Sequence, residues 1–342
     1  MKLVLCTLIM FGLSTQAIAA KTLRTMAIPN SDMQKVLGEL AGKNPKPIET
    51  LTALEARQQP SPADAVVSFM AAHGKKPDSS GFAKVQDIKV DGAVGQIPAR
   101  LYVPDAKGPL PVVAYYHGGG FVIADLNTYD SSARAIAKDA KAIVVSVAYR
   151  LAPENKFPAA HDDAYAAYKW VVAHAKEIGG DPKRIAVAGE SAGGNLAINV
   201  AIKARDEGFQ APVSELLVYP VAGSDMNTAS YQENATAKPL SKAMMEWFVK
   251  NYLVSMDQAS DPRINVVAAN LKGLPPTTII TAQIDPLRTD GEELAEKLKA
   301  AGVKVDSKNF NGVTHEFFGM APLVGEAASA QKFATAGLKK YF

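Results

Sequence analysis

Cysteine is almost missing from this sequence: Cys6 is the only one. A chain processed beyond that point has neither disulfides nor a thiol nucleophile. The five histidines are scattered singly, so no Cys/His cluster with metal-ligand spacing exists, and no metal or cofactor is expected. Charge of one sign is also scarce. The formal net charge is +3 with no basic cluster, which argues against a nucleic-acid surface. Beyond the N-terminus no 18-residue apolar run occurs, so no membrane span is expected in the mature chain. Internal repeats and low-complexity tracts are absent too. What remains is 342 residues at 48% hydrophobic, enough for a large α/β domain or two small ones.

The first twenty residues, "MKLVLCTLIMFGLSTQAIAA", stand apart. One lysine, an apolar stretch from Leu3 to Leu13 and the small residues Ala17, Ala19 and Ala20 describe a signal peptide cleaved near Ala19–Lys21. Export to the periplasm or medium is the corresponding expectation. Residues 21–80 read as a Pro-punctuated helical segment, with Ser31 and Ser61 as N-caps. Two extended runs then flank a turn at Asp91-Gly92 and read as a hairpin. From there apolar, β-branched runs at 111–116, 143–149, 185–188, 215–221, 277–282 and 304–309 alternate with helical stretches, including 157–178, 192–206 and 288–301. Such alternation predicts a mostly parallel sheet covered by helices on both faces. The stretch 223–270 interrupts the rhythm and contains an apolar helix, "PLSKAMMEWFVKNYL".

Residues 184–193 read "RIAVAGESAG": a buried strand, then Gly189-Glu190-Ser191-Ala192-Gly193, then a helix. G-x-S-x-G between a strand and a helix places the serine at the apex of a sharp turn, with its hydroxyl exposed above the sheet. The helix N-terminus then points at the reacting oxygen, where the macrodipole favours developing negative charge. A serine nucleophile needs a base. His73, His161 and His174 lie in helical regions, and His117 precedes the glycines of "YYHGGGFV". His315 follows the last strand, which fits the chain order serine, acid, histidine for this turn. The acid is read as Asp285, directly after the strand in "TTIITAQIDPLRTDG"; Asp290, a turn later, competes. An N-cap role for Asp285 would fit poorly with a carboxylate that faces an imidazole.

The bare backbone at Gly118, Gly119 and Gly120 suits an oxyanion hole, since side chains there would block the substrate. The N–H groups of Gly118, Gly119 and Ala192 are the expected donors, with His117, Gly120 and Glu190 supporting. A phosphate-binding loop would end in Lys-Ser/Thr and open straight into a helix, and this run does neither. Arg150 and Glu154 are expected to form a structural ion pair.

"HGGGFV", "YRLAPENKFPAA", "GESAGGNLA", "DPLRTDG" and "HEF", in this order and spacing over residues 85–342, resemble the hormone-sensitive-lipase-like family of bacterial esterases. The resemblance implies an α/β-hydrolase fold of about eight strands with a helical cap, and a triad of Ser191, Asp285 and His315. It implies hydrolysis of small carboxylic esters through an acyl-enzyme. Two departures stand out: Glu190 replaces the usual Asp or Thr, and Thr289-Asp290 replaces the last acidic pair of the Asp-Pro-Leu-Arg motif. Residues 21–80 and 223–270 are the material for a cap. Met244, Trp247 and Phe248, with Met245 and Tyr252, are expected to wall the pocket and favour acyl chains of roughly two to eight carbons. Amide, lactone or carbamate hydrolysis by the same triad, or a non-catalytic ligand receptor on this fold, are the alternatives. The oligomeric state, a homodimer among the options, is left open.

Overall fold

The computed structural model describes residues 25–342; the expected signal peptide lies outside the described residues. Three helices open the chain: α1 (Ser31–Gly42), α2 (Ala53–Ala56) and α3 (Pro62–Ala72). Ser61 caps α3 in a reciprocal capping box with Asp64. At α1 the cap is Asn30, whose side chain accepts from the Met33 N–H at 2.9 Å, and Ser31 is the first helical residue instead.

A single sheet of eight strands follows: β1 (Phe82–Gly92), β2 (Gly95–Pro104), β3 (Leu110–Tyr116), β4 (Ile143–Val147), β5 (Gly180–Glu190), β6 (Glu215–Val218), β7 (Thr277–Ile284) and β8 (Val305–Thr314). The order is β1-β2-β4-β3-β5-β6-β7-β8, antiparallel at the β1–β2 and β2–β4 pairs and parallel from β4 to β8. The expected α/β architecture is present. Helices α4 (Asp130–Ala140), α5 (Ala159–His174), α6 (Ala192–Asp206), α7 (Ala229–Glu233), α8 (Lys242–Tyr252), α9 (Arg288–Ala300) and α10 (Gly325–Lys339) complete the chain.

Strand alternation sorts side chains into two cores. In β3, Val112, Ala114 and Tyr116 join one, and Val113 and Tyr115 the other. Both faces are dry, and β3, β4 and β6 are buried at every position.

Several boundaries differ from the sequence reading. Gly92 still pairs with Gly95, so the hairpin turns at Ala93-Val94 rather than Asp91-Gly92. Strand β6 stops at Val218 because Tyr219 turns into a left-handed conformation, φ 36°, ahead of Pro220. Strand β8 runs on to Thr314 through Asp306, Lys308 and Asn309. As an edge strand it is partly solvated, so the apolar run expected at 304–309 is in fact mostly polar and exposed.

Candidate active site

Strand β5 ends on Glu190 and helix α6 begins at Ala192. Ser191, between them, is held at φ 56°, ψ −118°, a conformation that a non-glycine residue rarely adopts. The turn is tight: a Cβ on Gly193 would run into the Tyr116 carbonyl. Beneath it, the Glu190 carboxylate accepts from the Tyr115 hydroxyl at 2.6 Å and from that of Tyr219. These two tyrosines tie the elbow to β3 and to the end of β6. Burial pushes the Glu190 carboxyl up to about 7, against the pull of the tyrosine donors.

His315, on the turn after β8, puts Nε2 3.0 Å from Ser191 Oγ. Its Nδ1 lies 2.7 Å from Asp285 Oδ2, at the end of β7. Asp285 only accepts, so Nδ1 carries the proton and Nε2 receives the serine O–H. All three side chains are buried. Burial works against a charged imidazole, but the Asp285 carboxylate outweighs it and raises the His315 pKa above its ordinary value. Contrary to the sequence reading, Asp285 also serves the next turn. Its Oδ1 accepts from the Leu287 N–H at 2.9 Å while Oδ2 faces the imidazole. The two roles use different oxygens. Asp290 does not reach His315; buried, with its carboxyl raised to about 7, it accepts from the N–H groups of Gly223 and Ala222 at 2.8 and 3.2 Å.

Ser191 and His315 open into a cavity of about 470 Å³. Gly119 and Gly120 form part of its wall, whereas Gly118 does not. A Cβ on Gly118 would meet the Tyr129 hydroxyl, so that glycine serves packing behind the loop. Gly119 has φ 96°, and its carbonyl accepts from the N–H groups of Val122 and Ile123, closing a turn. No turn, loop or side-chain acceptor among the described residues takes the N–H of Gly118, Gly119, Gly120 or Ala192. Of the expected pair Gly118 and Gly119, only Gly119 belongs to the cavity wall, with Gly120 beside it. His117 is buried and braces the loop: Nδ1–H donates to the Gly118 carbonyl at 2.8 Å, and its ring stacks on Tyr149. Burial lowers its pKa to about 4.

Met244, Met245 and Phe248 of α8 line the cavity, facing Leu37, Leu40 and Ile48 of the N-terminal segment. Trp247 does not line it. Its indole N–H donates to the Leu51 carbonyl at 3.1 Å, joining α8 to the N-terminal segment. Nor is Arg150 paired with Glu154. Arg150 Nε donates to Asp163 at 2.7 Å, and Glu154 takes a forked contact from Arg57 at 2.7 and 2.8 Å. Arg57 also donates to the Val122 and Ala152 carbonyls, which anchors the N-terminal segment to the glycine loop. Sequence reading missed Arg57 and Tyr129, which carry no local motif. It also missed Glu316, whose only signal is its place beside His315.

The match to the alpha/beta hydrolase fold family spans residues 113–319, and the chain belongs to that family, in its hormone-sensitive-lipase-like branch. Among relatives, it is 45% identical over 249 residues to the carboxylesterase NlhH of Mycobacterium tuberculosis, covering 71% of this chain and 78% of that protein. It is 33% identical over 296 residues to an ethyl acetate hydrolase of Pseudomonas putida, covering 85% and 90%. A hyperthermophilic esterase from Pyrobaculum calidifontis superposes with a TM-score of 0.83 at 36% identity, covering 92% of this chain and 99% of that one. Among the described residues no helix is long and apolar enough to cross a membrane.

Proposed function

We propose that this protein is a serine carboxylesterase acting on small esters of short to medium acyl chain, with Ser191 as nucleophile, His315 as base and Asp285 as its orienting acid. The observation that carries the reading is the unbroken chain Ser191 Oγ–His315 Nε2, His315 Nδ1–Asp285 Oδ2 at 3.0 and 2.7 Å, opening into an apolar cavity.

Ser191 Oγ attacks the ester carbonyl carbon as its proton passes to His315 Nε2. The carbonyl oxygen becomes an oxyanion, met by the N–H groups of Gly119, Gly120 and Ala192 and by the positive end of α6. The C–O bond to the alcohol breaks, and the imidazolium gives its proton to the departing alkoxide. Water then attacks the acyl-enzyme by the same route, releasing the acid and restoring Ser191. Asp285 holds the imidazole in the tautomer that leaves Nε2 free to accept. A ligand-receptor reading would need no base beside the serine, and His315 sits there.

Ser191→Ala removes only Oγ from the apex. It should lower kcat on 4-nitrophenyl acetate by ~10⁴-fold or more with an unchanged fold. A fluorophosphonate should label Ser191 alone in peptide mapping. Retention of a tenth of the activity would end the triad reading.

A further inference from the structure

Glu316 directly follows the histidine, yet neither triad contact involves it. Its backbone sits at φ 71°, left-handed for a residue with a bulky side chain. Such a conformation persists only where the surroundings impose it, and it tends to occur at working sites. The strained backbone accompanies a side chain that lines the same cavity as Ser191 and His315. Oε1 is fixed by the Tyr129 hydroxyl, which donates to it at 2.5 Å. The same Oε1 lies 3.9 Å from His315 Nε2, the nitrogen that faces Ser191 Oγ.

That separation is too long for a direct hydrogen bond, and it suits one bridging water. Two hydrogen bonds of about 2.8 Å span it with an angle at the water close to a right angle, near a water molecule's own geometry. A water there donates one proton to Nε2 and the other to Oε1, which leaves a lone pair free. We propose that Glu316, tethered by Tyr129, is a positioning residue for deacylation: it holds the hydrolytic water between its Oε1 and His315 Nε2. This rests on the esterase reading above. In the step itself the water oxygen bonds to the acyl carbon while its proton passes to Nε2. The adduct then collapses, the bond from carbon to Ser191 Oγ breaks, and the Nε2 proton moves to Oγ. The acid leaves carrying the water's oxygen.

Acylation does not need this acceptor, because Ser191 reaches Nε2 unaided. Glu316 should therefore act on the second half-reaction alone. Burial raises its carboxyl above the ordinary value. An Oε1 that already accepts from Tyr129 remains an acceptor in either protonation state.

Stopped-flow hydrolysis of 4-nitrophenyl butyrate separates the two halves. Glu316→Met keeps the bulk and removes the acceptor. Its first turnover should stay within about twofold of wild type while the steady state falls about tenfold, the loss of one hydrogen bond. A burst approaching one equivalent of nitrophenol should accompany that fall. Glu316→Gln, which retains an acceptor oxygen, should stay within about threefold of wild type in both phases. Equal slowing of both phases in Glu316→Met, no change in either, or a Gln variant as impaired as the Met variant overturns the proposal. If Glu316→Met fails to fold, Tyr129→Phe frees the tether and should raise the burst relative to the steady state; an unchanged ratio is then fatal. Failure of the esterase reading looks different, because wild type itself would show neither ester turnover nor phosphonate labelling at Ser191.

Discussion

Asp285 shows why residue chemistry was easy to find here and hard to finish. The serine, acid and histidine were legible because each closes a strand of the parallel sheet and their chain order is constrained. Less legible was how one carboxylate divides its oxygens between the Leu287 N–H and the imidazole. That division makes Asp285→Asn informative. Asparagine still has an oxygen for Leu287, but its NH₂ then faces His315 Nδ1 and selects the tautomer with Nε2 protonated. We expect kcat to fall by about 10⁴-fold. Asp290→Asn keeps an acceptor for Gly223 and should cost little activity. The same pair sets the pH profile. Catalysis needs neutral His315, whose pKa is raised above the ordinary ~6.5. The acid limb of kcat/KM should therefore lie above that value and move to lower pH in the residual activity of Asp285→Asn. A limb at the same pH in both variants would mean that another group controls it.

Helix α8 is the element whose reading was half right. Its periodicity announced an apolar helix, but Met244, Met245, Trp247 and Phe248 spread over an arc of about 160° at 3.6 residues per turn. Hydropathy cannot say which of them face a cavity and which face protein. In the structure Met244, Met245 and Phe248 face the cavity, whereas Trp247 is committed to Leu51. Phe248 is seated on the glycine loop, where a Cβ at Gly120 would collide with its ring. The oxyanion loop has a similar limit: glycine identity shows that backbone is bared, and only the structure shows that Gly119 and Gly120 wall the cavity while Gly118 does not. Substitutions on α8 should therefore separate. Met244→Ala enlarges the cavity, so the optimum of kcat/KM across 4-nitrophenyl acetate, butyrate, octanoate and laurate should move to longer chains. Each CH₂ newly accommodated is worth about 0.8 kcal/mol. Trp247→Ala should instead cost about 3–5 kcal/mol of stability and leave the optimum in place. An altered chain-length optimum in Trp247→Ala, with none in Met244→Ala, would reverse the assignment.

On the scale of the whole molecule, the two dry cores make the sheet a poor place for charge, and Glu215 sits in it. This residue begins β6, a central strand, fully buried, and neither of its carboxylate oxygens has a hydrogen-bond partner among the described residues. Burial alone pushes its pKa well above the ordinary carboxyl value. Glu190 and Asp290 are raised in the same direction, each to about 7. A raised folded-state pKa means that the native protein binds protons more tightly than the unfolded chain. The stability linked to those protons is complete below the unfolded value of about 4.3 and is lost as pH climbs through the folded values. These groups therefore oppose the usual acid denaturation and should make the apparent Tm decline from pH 5 to pH 8. Glu215→Met, of similar length and without oxygens to desolvate, removes one contributor. Relieving an orphaned buried polar group is worth about 1–3 kcal/mol. For a chain of this size that corresponds to a rise of roughly 1–5 °C in Tm. Because the wild-type cost grows as Glu215 is pressed to ionise, the gain should be larger at pH 8 than at pH 5. Calorimetric scans at one fixed rate read both quantities. A gain equal at the two pH values would show that Glu215 does not contribute to the slope, and a lower Tm in the variant would mean that the carboxyl has a partner worth keeping.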